Sequence, residues 1–218
     1  MGLITIGVDI GQRVDPTALA VTEFINNTFE TRLLERLAIG TSYPEVAKRI
    51  SEVCKSLLKR KIEELLRIGL LPSGQGELVK SDAAAEIWLV IDATGVGLPV
   101  VEIVRDEIKN TGIKLTAVFF THGDRTDIHR GQREATVGKA YLVSRLQALS
   151  QTNRILLPRT PEALAMKEEL HDYEIHVDAN ANDTYGAFKV GTHDDLVTAL
   201  GLSVIIDPKI LKSTSHQG

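Results

Sequence analysis

The chain has 218 residues, of which 43% are hydrophobic, and its formal net charge is −4 at pH 7. This length and apolar content suffice for one well-packed domain over residues 1–218, and the acidic balance excludes a globally cationic nucleic-acid-binding protein. The single cysteine, Cys54, excludes an internal disulfide and a multi-cysteine zinc site. No basic and apolar leader begins the chain, and no apolar run approaches the roughly 20 residues that span a bilayer, so a cytosolic protein is expected.

The first part of the chain predicts an antiparallel meander followed by a long helix. Three apolar, β-branched runs with short connections predict strands over Leu3–Val8, Ala18–Phe24 and Thr28–Leu37. Apolar residues recur at near-helical spacing between charged ones over Tyr43–Ile68, which predicts the longest helix. The segment Pro72–Ala85, with Ser-Gly-Gln-Gly at its centre, is predicted to be a surface loop.

The middle of the chain alternates strands and helices. Ile87–Ile91 is a continuous apolar run that ends in Asp92, a helix is predicted over Leu98–Asn110, and Lys114–Phe120 is the next strand. This order favours parallel strands buried beneath helices. The expected fold class is therefore α/β, with a central mixed sheet of three antiparallel strands and then parallel strands, flanked by helices.

The last third begins with a polar segment over Thr121–Lys139. Beyond it, short apolar runs predict strands over Arg154–Leu157, Tyr173–Val177 and Tyr185–Val190. Helical patterns with proline in a first turn or just after the end predict helices over Gly138–Leu149, Pro161–His171 and Asp194–Ile206.

Acidic residues stand at three points where a predicted element ends or begins. Asp9 follows the first strand, Asp92 follows the first strand after the long helix, and Asp194 and Asp195 begin the last helix. If the two strands are neighbours, their backbones lie about 4.8 Å apart and their terminal carboxylates converge. Two divalent cations about 3.5 to 4 Å apart would turn the repulsion among such carboxylates into ligation. Hard oxygen ligands of this kind suit Mg²⁺ or Mn²⁺.

Each acidic position also has a purely structural interpretation. Asp9 and Asp92 could stabilise turns after their strands. The stretch Thr192-His193-Asp194-Asp195 resembles a capping box, whose acids complement the helix dipole. Asp15, which precedes a proline, is interpreted as an ordinary turn residue. His193 could support the metal ligands or simply neighbour the helix cap.

The order of elements and acids resembles that of the ribonuclease H-like superfamily. More closely, it is similar to the C-terminal nuclease domain of tailed-bacteriophage large terminase subunits. The matching stretches are GVDIGQRVDPTALAV (7–21), VIDATGVGLPVVEIV (90–104) and HDDLVTALGLSV (193–204), with softer matches over 138–158 and 164–174. That family cuts concatemeric viral DNA when packaging of a genome starts and finishes, and it uses two divalent metal ions. The resemblance implies a metal-dependent endodeoxyribonuclease in which Asp9, Asp92 and either Asp194 or Asp195 are catalytic metal ligands.

The resemblance also implies partners and a setting. Double-stranded DNA, a terminase ATPase domain, a small terminase subunit and a portal would be the partners, in the host cell cytoplasm and without a membrane. The ATPase of that family has a phosphate-binding loop, and the pattern G-x-x-x-x-G-K-[ST] is absent from this sequence. A nuclease domain without its motor is therefore expected. The candidates for contact with the DNA backbone are Arg125, His129, Arg130, Arg133 and Lys139. The alternative interpretation is that these residues simply form a solvated surface.

Three other classes share parts of this pattern. A Holliday-junction resolvase of the same superfamily would use the same acids on branched DNA. An actin-like or sugar-kinase ATPase fragment is suggested by DIGQRVDPT and DATGVG, which loosely resemble phosphate-binding turns. A non-catalytic DNA-binding module would have the fold without the activity. Linear, supercoiled and four-way DNA, each tested with and without manganese, discriminate between these classes.

Overall fold

A computed structural model of the chain describes residues 2–11, 15–69, 76–171, 173–177, 183–186 and 193–208. Ten strands lie within these residues: β1 Leu3–Asp9, β2 Ala18–Ile25, β3 Thr28–Arg36, β4 Ile87–Asp92, β5 Lys114–Thr121, β6 Thr126–Asp127, β7 Glu134–Gly138, β8 Ile155–Leu156, β9 Glu174–Val177 and β10 Asp183–Gly186. The same residues contain six helices: α1 Tyr43–Arg67, α2 Gly76–Ala85, α3 Gly97–Ile108, α4 Lys139–Gln151, α5 Pro161–His171 and α6 Asp195–Ser203.

An eight-stranded sheet in the order β6-β7-β5-β4-β1-β2-β3-β8 forms the centre of the fold. The strands β1, β2 and β3 pair antiparallel, which confirms the predicted meander. On the other side of β1, the strands β4, β5 and β7 pair parallel. The predicted fold class, α/β with a mixed sheet flanked by helices, is therefore confirmed. Strands β9 and β10 form a separate antiparallel pair.

Helices cover both faces of the sheet, and alternate residues of each strand face opposite layers. Val8 of β1 lies in a core with residues of α1, α2 and α3, whereas Val90 of β4 lies in a core with residues of α4, α5 and α6. Because side chains alternate along a strand, Gly7, Asp9 and Asp92 share the face that is covered by α6. The direction of both strand-end carboxylates thus follows from the two-residue period of β1 and β4.

The close approach of α6 to the sheet depends on small residues. A β-carbon on Gly7 would lie 2.1 Å from the carbonyl oxygen of Ala199 and 2.5 Å from the amide nitrogen of Ser203, both in α6. On the neighbouring strand, Ala18 and Ala20 are fully buried in the core that contains α6. The α6 backbone therefore lies directly on β1, and its N-terminus comes close to the end of that strand.

Two segments differ from the sequence-based expectation in the middle of the chain. The predicted loop Pro72–Ala85 is wrong from Gly76 onward, where α2 begins, and its residues 72–75 lie outside the described part. Val79, Ala83 and Ala84 of α2 are buried in the core with α1, so tertiary packing at helical spacing outweighs the glycine signal. The strand β7 was not predicted, because Ala135 and Val137 are its only apolar residues.

Two C-terminal elements have bounds that differ from the predicted ones. The last helix ends at Ser203 rather than near Ile206, with Val204 as its C-cap. The predicted strand Tyr185–Val190 starts two residues earlier, as β10, and its residues 187–190 lie outside the described part. Among the described residues, no helix combines the length and the apolarity that crossing a bilayer requires.

Candidate active site

Two carboxylates at the ends of neighbouring parallel strands form the centre of the candidate site. Asp9 is the last residue of β1 and Asp92 is the last residue of β4, and the preceding residues Val8 and Ile91 are paired in register. The two carboxyl groups are close enough for Asp92 to raise the pKa of Asp9. The two strand ends are adjacent, as the crossover rule predicted.

The electrostatics of Asp9 are those of a carboxyl group among other acids. Burial raises the pKa of Asp9 well above its usual value, and the neighbouring Asp92 raises it further. Asp194 and Asp195 shift the pKa of Asp9 in the same direction, whereas Lys139 lowers it. Acidic groups that resist joint ionisation in this way are typical of sites that bind a cation.

Asp92 is fixed by the turn that follows β4. The Thr94 amide donates a 2.8 Å hydrogen bond to Asp92 Oδ1, and Thr94 Oγ1 accepts a 2.9 Å bond from the Phe120 amide in β5. Burial raises the pKa of Asp92, while its hydrogen bonds with Thr94 and the charge of Lys139 lower it. A β-carbon on Gly97 would lie 2.1 Å from the Asp92 carbonyl oxygen, so glycine is required where α3 begins.

Lys139, the first residue of α4, brings a positive charge to these acids. Its Nζ lies 3.5 Å from Asp194 Oδ2 and 5.3 Å from the centroid of the Phe120 ring. Its position is fixed by the preceding Gly138, whose amide donates a 2.8 Å hydrogen bond to the Arg125 carbonyl oxygen. Lys139 lowers the pKa of Asp9 and Asp92 and forms an ion pair with Asp194. Its ammonium group therefore lies at a position where the three acids stabilise a positive charge.

The adjacent acids Asp194 and Asp195 face different partners. Asp194 is the N-cap residue of α6, and its carboxylate makes no capping hydrogen bond but contacts Lys139. Asp195 is only 4% exposed, and Arg36 donates to both of its oxygens, from Nε at 2.8 Å and from Nη2 at 3.2 Å. His193 approaches Asp195, with 4.0 Å between its Nδ1 and Oδ1 of the acid. The geometry therefore distinguishes the two acids that the sequence left equivalent.

Two residues of the site, Arg36 and Glu169, were missed by sequence reasoning. Arg36 ends β3, and the register Asp9↔Ala18↔Arg36 places it level with Asp9. Glu169 Oε2 accepts hydrogen bonds from the first amides of α6, and its Oε1 bonds Arg36 Nη2. Burial raises the pKa of Glu169 to about 7, Asp195 adds to that shift, and Arg36 opposes it. Glu169 lies on the same buried face of α5 as Ala163 and Met166. An acidic residue in line with the apolar residues of a helix is the sequence feature that could have indicated a buried, paired carboxylate.

The five basic candidates for DNA contact do not form one cluster. Lys139 lies at the site, and Arg125 is exposed in the loop that packs against Gly138. Three others lie near the start of β7, at the opposite end of this parallel strand, and these are His129, Arg130 and Arg133.

These three residues also have local structural roles. His129 Nε2 is 3.6 Å from Asp127, and the Arg133 carbonyl oxygen accepts hydrogen bonds from Ala117 and Arg105. Arg130 is partly buried, and burial lowers its pKa while Glu86, which precedes β4, raises it. The structure therefore separates these residues from the acidic site by the length of the β7 strand.

The acids of the site have the donor chemistry for divalent cations. No group of three or more His, Cys, Asp or Glu side chains within the described residues is close enough together to bind an ion, and the Asp194 carboxylate pairs with Lys139. Asp9, Asp92 and Asp194 all offer the hard oxygen ligands that Mg²⁺ and Mn²⁺ prefer. In donor chemistry the three acids therefore fit such cations, and in this structure Lys139 supplies the positive charge that offsets their repulsion.

A mixed sheet with acids at the ends of β1 and β4 and at the start of α6 defines a ribonuclease H-like fold. The chain is similar to the large terminase nuclease of thermophilic phage G20c, with 18% identity, a TM-score of 0.54, and coverage of 93% of this chain and 81% of that chain. It is also similar to the human cytomegalovirus terminase nuclease domain, with 12% identity, a TM-score of 0.53, and coverage of 95% and 86%.

The manganese-soaked, inhibitor-bound form of the cytomegalovirus domain is similar as well, with 13% identity, a TM-score of 0.50, and coverage of 95% and 85%. The fold of this chain is therefore that of terminase nuclease domains, which confirms the resemblance indicated by its three acidic motifs. No protein-family profile and no curated protein matches the sequence.

Proposed function

We propose that this chain is a metal-dependent endodeoxyribonuclease that cuts concatemeric double-stranded viral DNA during genome packaging, acting as one nuclease domain over residues 1–218. The observation that supports this proposal most is the placement of Asp9 and Asp92 at the ends of adjacent parallel strands, with Asp194 and Lys139 close enough to shift the pKa of Asp9. The similarity of fold to terminase nuclease domains supports the choice of DNA as the substrate.

Asp9, Asp92 and Asp194 would hold two divalent ions, Mg²⁺ or Mn²⁺. Asp195 is engaged by Arg36, so it would be the weaker candidate of the adjacent pair. The manganese soak of the similar cytomegalovirus domain supports the choice of ion. Bound ions of this kind supply an activated water for attack on the phosphodiester and stabilise the charge of the leaving 3′-oxygen.

The residues of the chain would bind and orient the substrate. Strand ends are rigid supports, and the Thr94 hydrogen bonds restrict the rotation of the Asp92 carboxylate. Lys139 and Arg125, at the same end of the sheet, would contact DNA phosphates, which contributes affinity but no sequence information. A terminase ATPase domain, a small terminase subunit and a portal would be the partners in the cytoplasm of the infected cell.

Cleavage of supercoiled plasmid tests the proposal. We expect nicking with little sequence preference when Mn²⁺ or Mg²⁺ is supplied, and none in the presence of a chelator. Asp9→Asn and Asp92→Asn preserve the side-chain size and remove a charged ligand, so each should reduce cleavage by about 10²-fold or more. Asp15→Asn, at an exposed turn position, is the control that should retain activity. Cleavage without metal, or full activity of Asp92→Asn, would contradict the proposal.

The same assay separates the alternative classes. Preferential cutting of four-way DNA in symmetric positions would favour a resolvase. A rise in melting temperature with ATP, beyond the effect of metal chelation by the nucleotide, would favour the actin-like interpretation. DNA binding by folded protein without any cleavage would leave a non-catalytic module.

A further inference from the structure

The N-terminus of α6 is capped by a residue from another helix. The first amides of a helix have no partner within the helix, and the N-cap side chain usually accepts hydrogen bonds from the second or third helical residue. Asp194 is the N-cap residue of α6 but makes no such bond. The second and third residues, Leu196 and Val197, instead donate to Glu169 Oε2 at 3.0 Å and 3.2 Å. Glu169 of α5 thus occupies the two amides that the Asp194 side chain would otherwise take.

Arg36 holds the capping glutamate and the neighbouring aspartate together. Its Nη2 bonds Glu169 Oε1 and its Nε bonds Asp195 Oδ2. The side chains of Glu169 and Asp195 are only 7% and 5% exposed, so these ion pairs form largely away from water. The three residues come from β3, α5 and α6, and their contacts connect the sheet to the start of α6.

We propose that Glu169 and Arg36 are positioning residues for Asp194. Because Glu169 accepts the hydrogen bonds at the start of α6 and Arg36 holds Asp195, the Asp194 carboxylate is not needed as the helix cap. It is therefore left free to face the site of Asp9 and Asp92. Without Glu169, we expect the carboxylate of the N-cap residue Asp194 to turn towards the free amides, because an N-cap aspartate normally accepts hydrogen bonds from them. This inference rests on the proposed function, because it assigns Asp194 the task of holding a metal ion there.

Capping and metal binding by Asp194 can be measured without DNA. In a cycle of Asp194→Ala, Glu169→Ala and the double variant, we expect Asp194→Ala to lower the melting temperature of the metal-free protein more in the Glu169→Ala background than in the parent protein. There the aspartate has become the cap, whereas in the parent protein it has no capping role. Additive effects of the two substitutions on the melting temperature would overturn the proposal.

Calorimetric titration with Mn²⁺ provides the second readout, at a temperature where every variant is folded. Glu169→Ala should weaken Mn²⁺ binding by about tenfold or more, as removal of a group that orients a metal ligand typically does. Glu169→Gln retains a carbonyl oxygen that can accept both amides, so it should restore most of the affinity. Unchanged Mn²⁺ affinity in folded Glu169→Ala would overturn the proposal.

A matched control lies on the opposite face of the same strand. Glu35 of β3 accepts hydrogen bonds from Arg49 Nε at 3.0 Å and Arg49 Nη2 at 2.8 Å, so Glu35→Gln disrupts an arginine pair of similar geometry away from the acids. It should lower the melting temperature without changing Mn²⁺ affinity.

In cleavage assays, Glu169→Ala should lower kcat and leave the KM for DNA nearly unchanged.

The two proposals fail in different ways. If the parent protein binds Mn²⁺ but cleaves no DNA, the nuclease assignment is wrong while the titration and the melting cycle still test the positioning role. If the parent protein cleaves DNA and Glu169→Ala matches it in both affinity and kcat, the positioning role alone is wrong.

Discussion

Gly7 of β1 lies directly beneath Ala199 of α6, so close that a β-carbon on the glycine would be 2.1 Å from the alanine carbonyl oxygen. Rotation of a side chain cannot relieve a contact with a backbone atom. Any larger residue at position 7 would therefore lift α6 from the sheet and move Asp194 away from Asp9. The acidic site thus depends on a residue that has no functional group of its own.

Gly7→Ala should destabilise the protein by about 1 to 3 kcal/mol or more, because overpacking forces a backbone shift. It should also reduce DNA cleavage, since α6 positions one of the acids. Gly40→Ala is the control, because nothing lies within 4 Å of its β-carbon and only its φ of +84° is unfavourable, a cost of about 1 to 2 kcal/mol. Denaturant unfolding measures both losses, and full cleavage by Gly7→Ala would show that α6 tolerates the shift.

The stability of the metal-free protein should fall as the pH rises towards neutrality. Burial raises the pKa of Glu169 from 4.5 to about 7 in the folded state. A raised carboxyl pKa contributes stability that is fully present below the unfolded value and is lost as the pH rises through the folded value. The melting temperature should therefore decline between pH 4.5 and about 7, and the raised pKa values of Asp9 and Asp92 act in the same direction.

Two variants isolate the contribution of Glu169 to this decline. Glu169→Gln cannot ionise, so its melting temperature should depend less on pH over the same interval than that of the parent protein. Glu168→Gln, which changes an exposed neighbour on α5, should leave the profile unchanged. Identical pH profiles for the parent and Glu169→Gln would exclude Glu169 as a contributor.

Lys139→Met should destabilise the metal-free protein at neutral pH. Methionine retains apolar contact with Phe120 but removes the charge that pairs with Asp194 and lowers the pKa of Asp9 and Asp92. Saturating Mn²⁺ would supply positive charge in its place, so the difference in melting temperature from the parent should shrink when the ion is added. Thermal melts with and without Mn²⁺ measure this, and equal differences in both conditions would mean that Lys139 does not offset the charge of the acids.

Cys54 should be chemically inert in the folded protein. Its side chain is fully buried in the core beneath α1, and burial raises the pKa of its thiol to about 12. Because the thiolate is the reactive form, a disulfide-exchange reagent should label the native protein very slowly at pH 8 and label it rapidly in denaturant. Rapid labelling of native protein would indicate that α1 opens readily from the sheet.

Local sequence patterns were sufficient to predict the central sheet and the two acids at the ends of β1 and β4. Apolar, β-branched runs specify β1 and β4, and the two-residue period of side chains along a strand decides that Asp9 and Asp92 face the side opposite Val8 and Ile91. The crossover rule then makes the strands neighbours, as their parallel register shows. These features follow from local pattern because strand geometry is set by adjacent residues.

The roles of the remaining residues depend on contacts between elements that are distant in the chain. Asp194 and Asp195 are equivalent in sequence, and they become distinct because Arg36 lies 159 residues from Asp195 in the chain yet donates to both of its oxygens. Glu169 is one acid among many on its helix until α5 packs against α6. The basic segment before Lys139 is continuous in sequence, but β7 separates its middle residues from its two ends. His129, Arg130 and Arg133 lie near the start of the strand, whereas Arg125 and Lys139 lie at its end. Ion pairs and caps between distant elements depend on packing in three dimensions, which no local periodicity encodes.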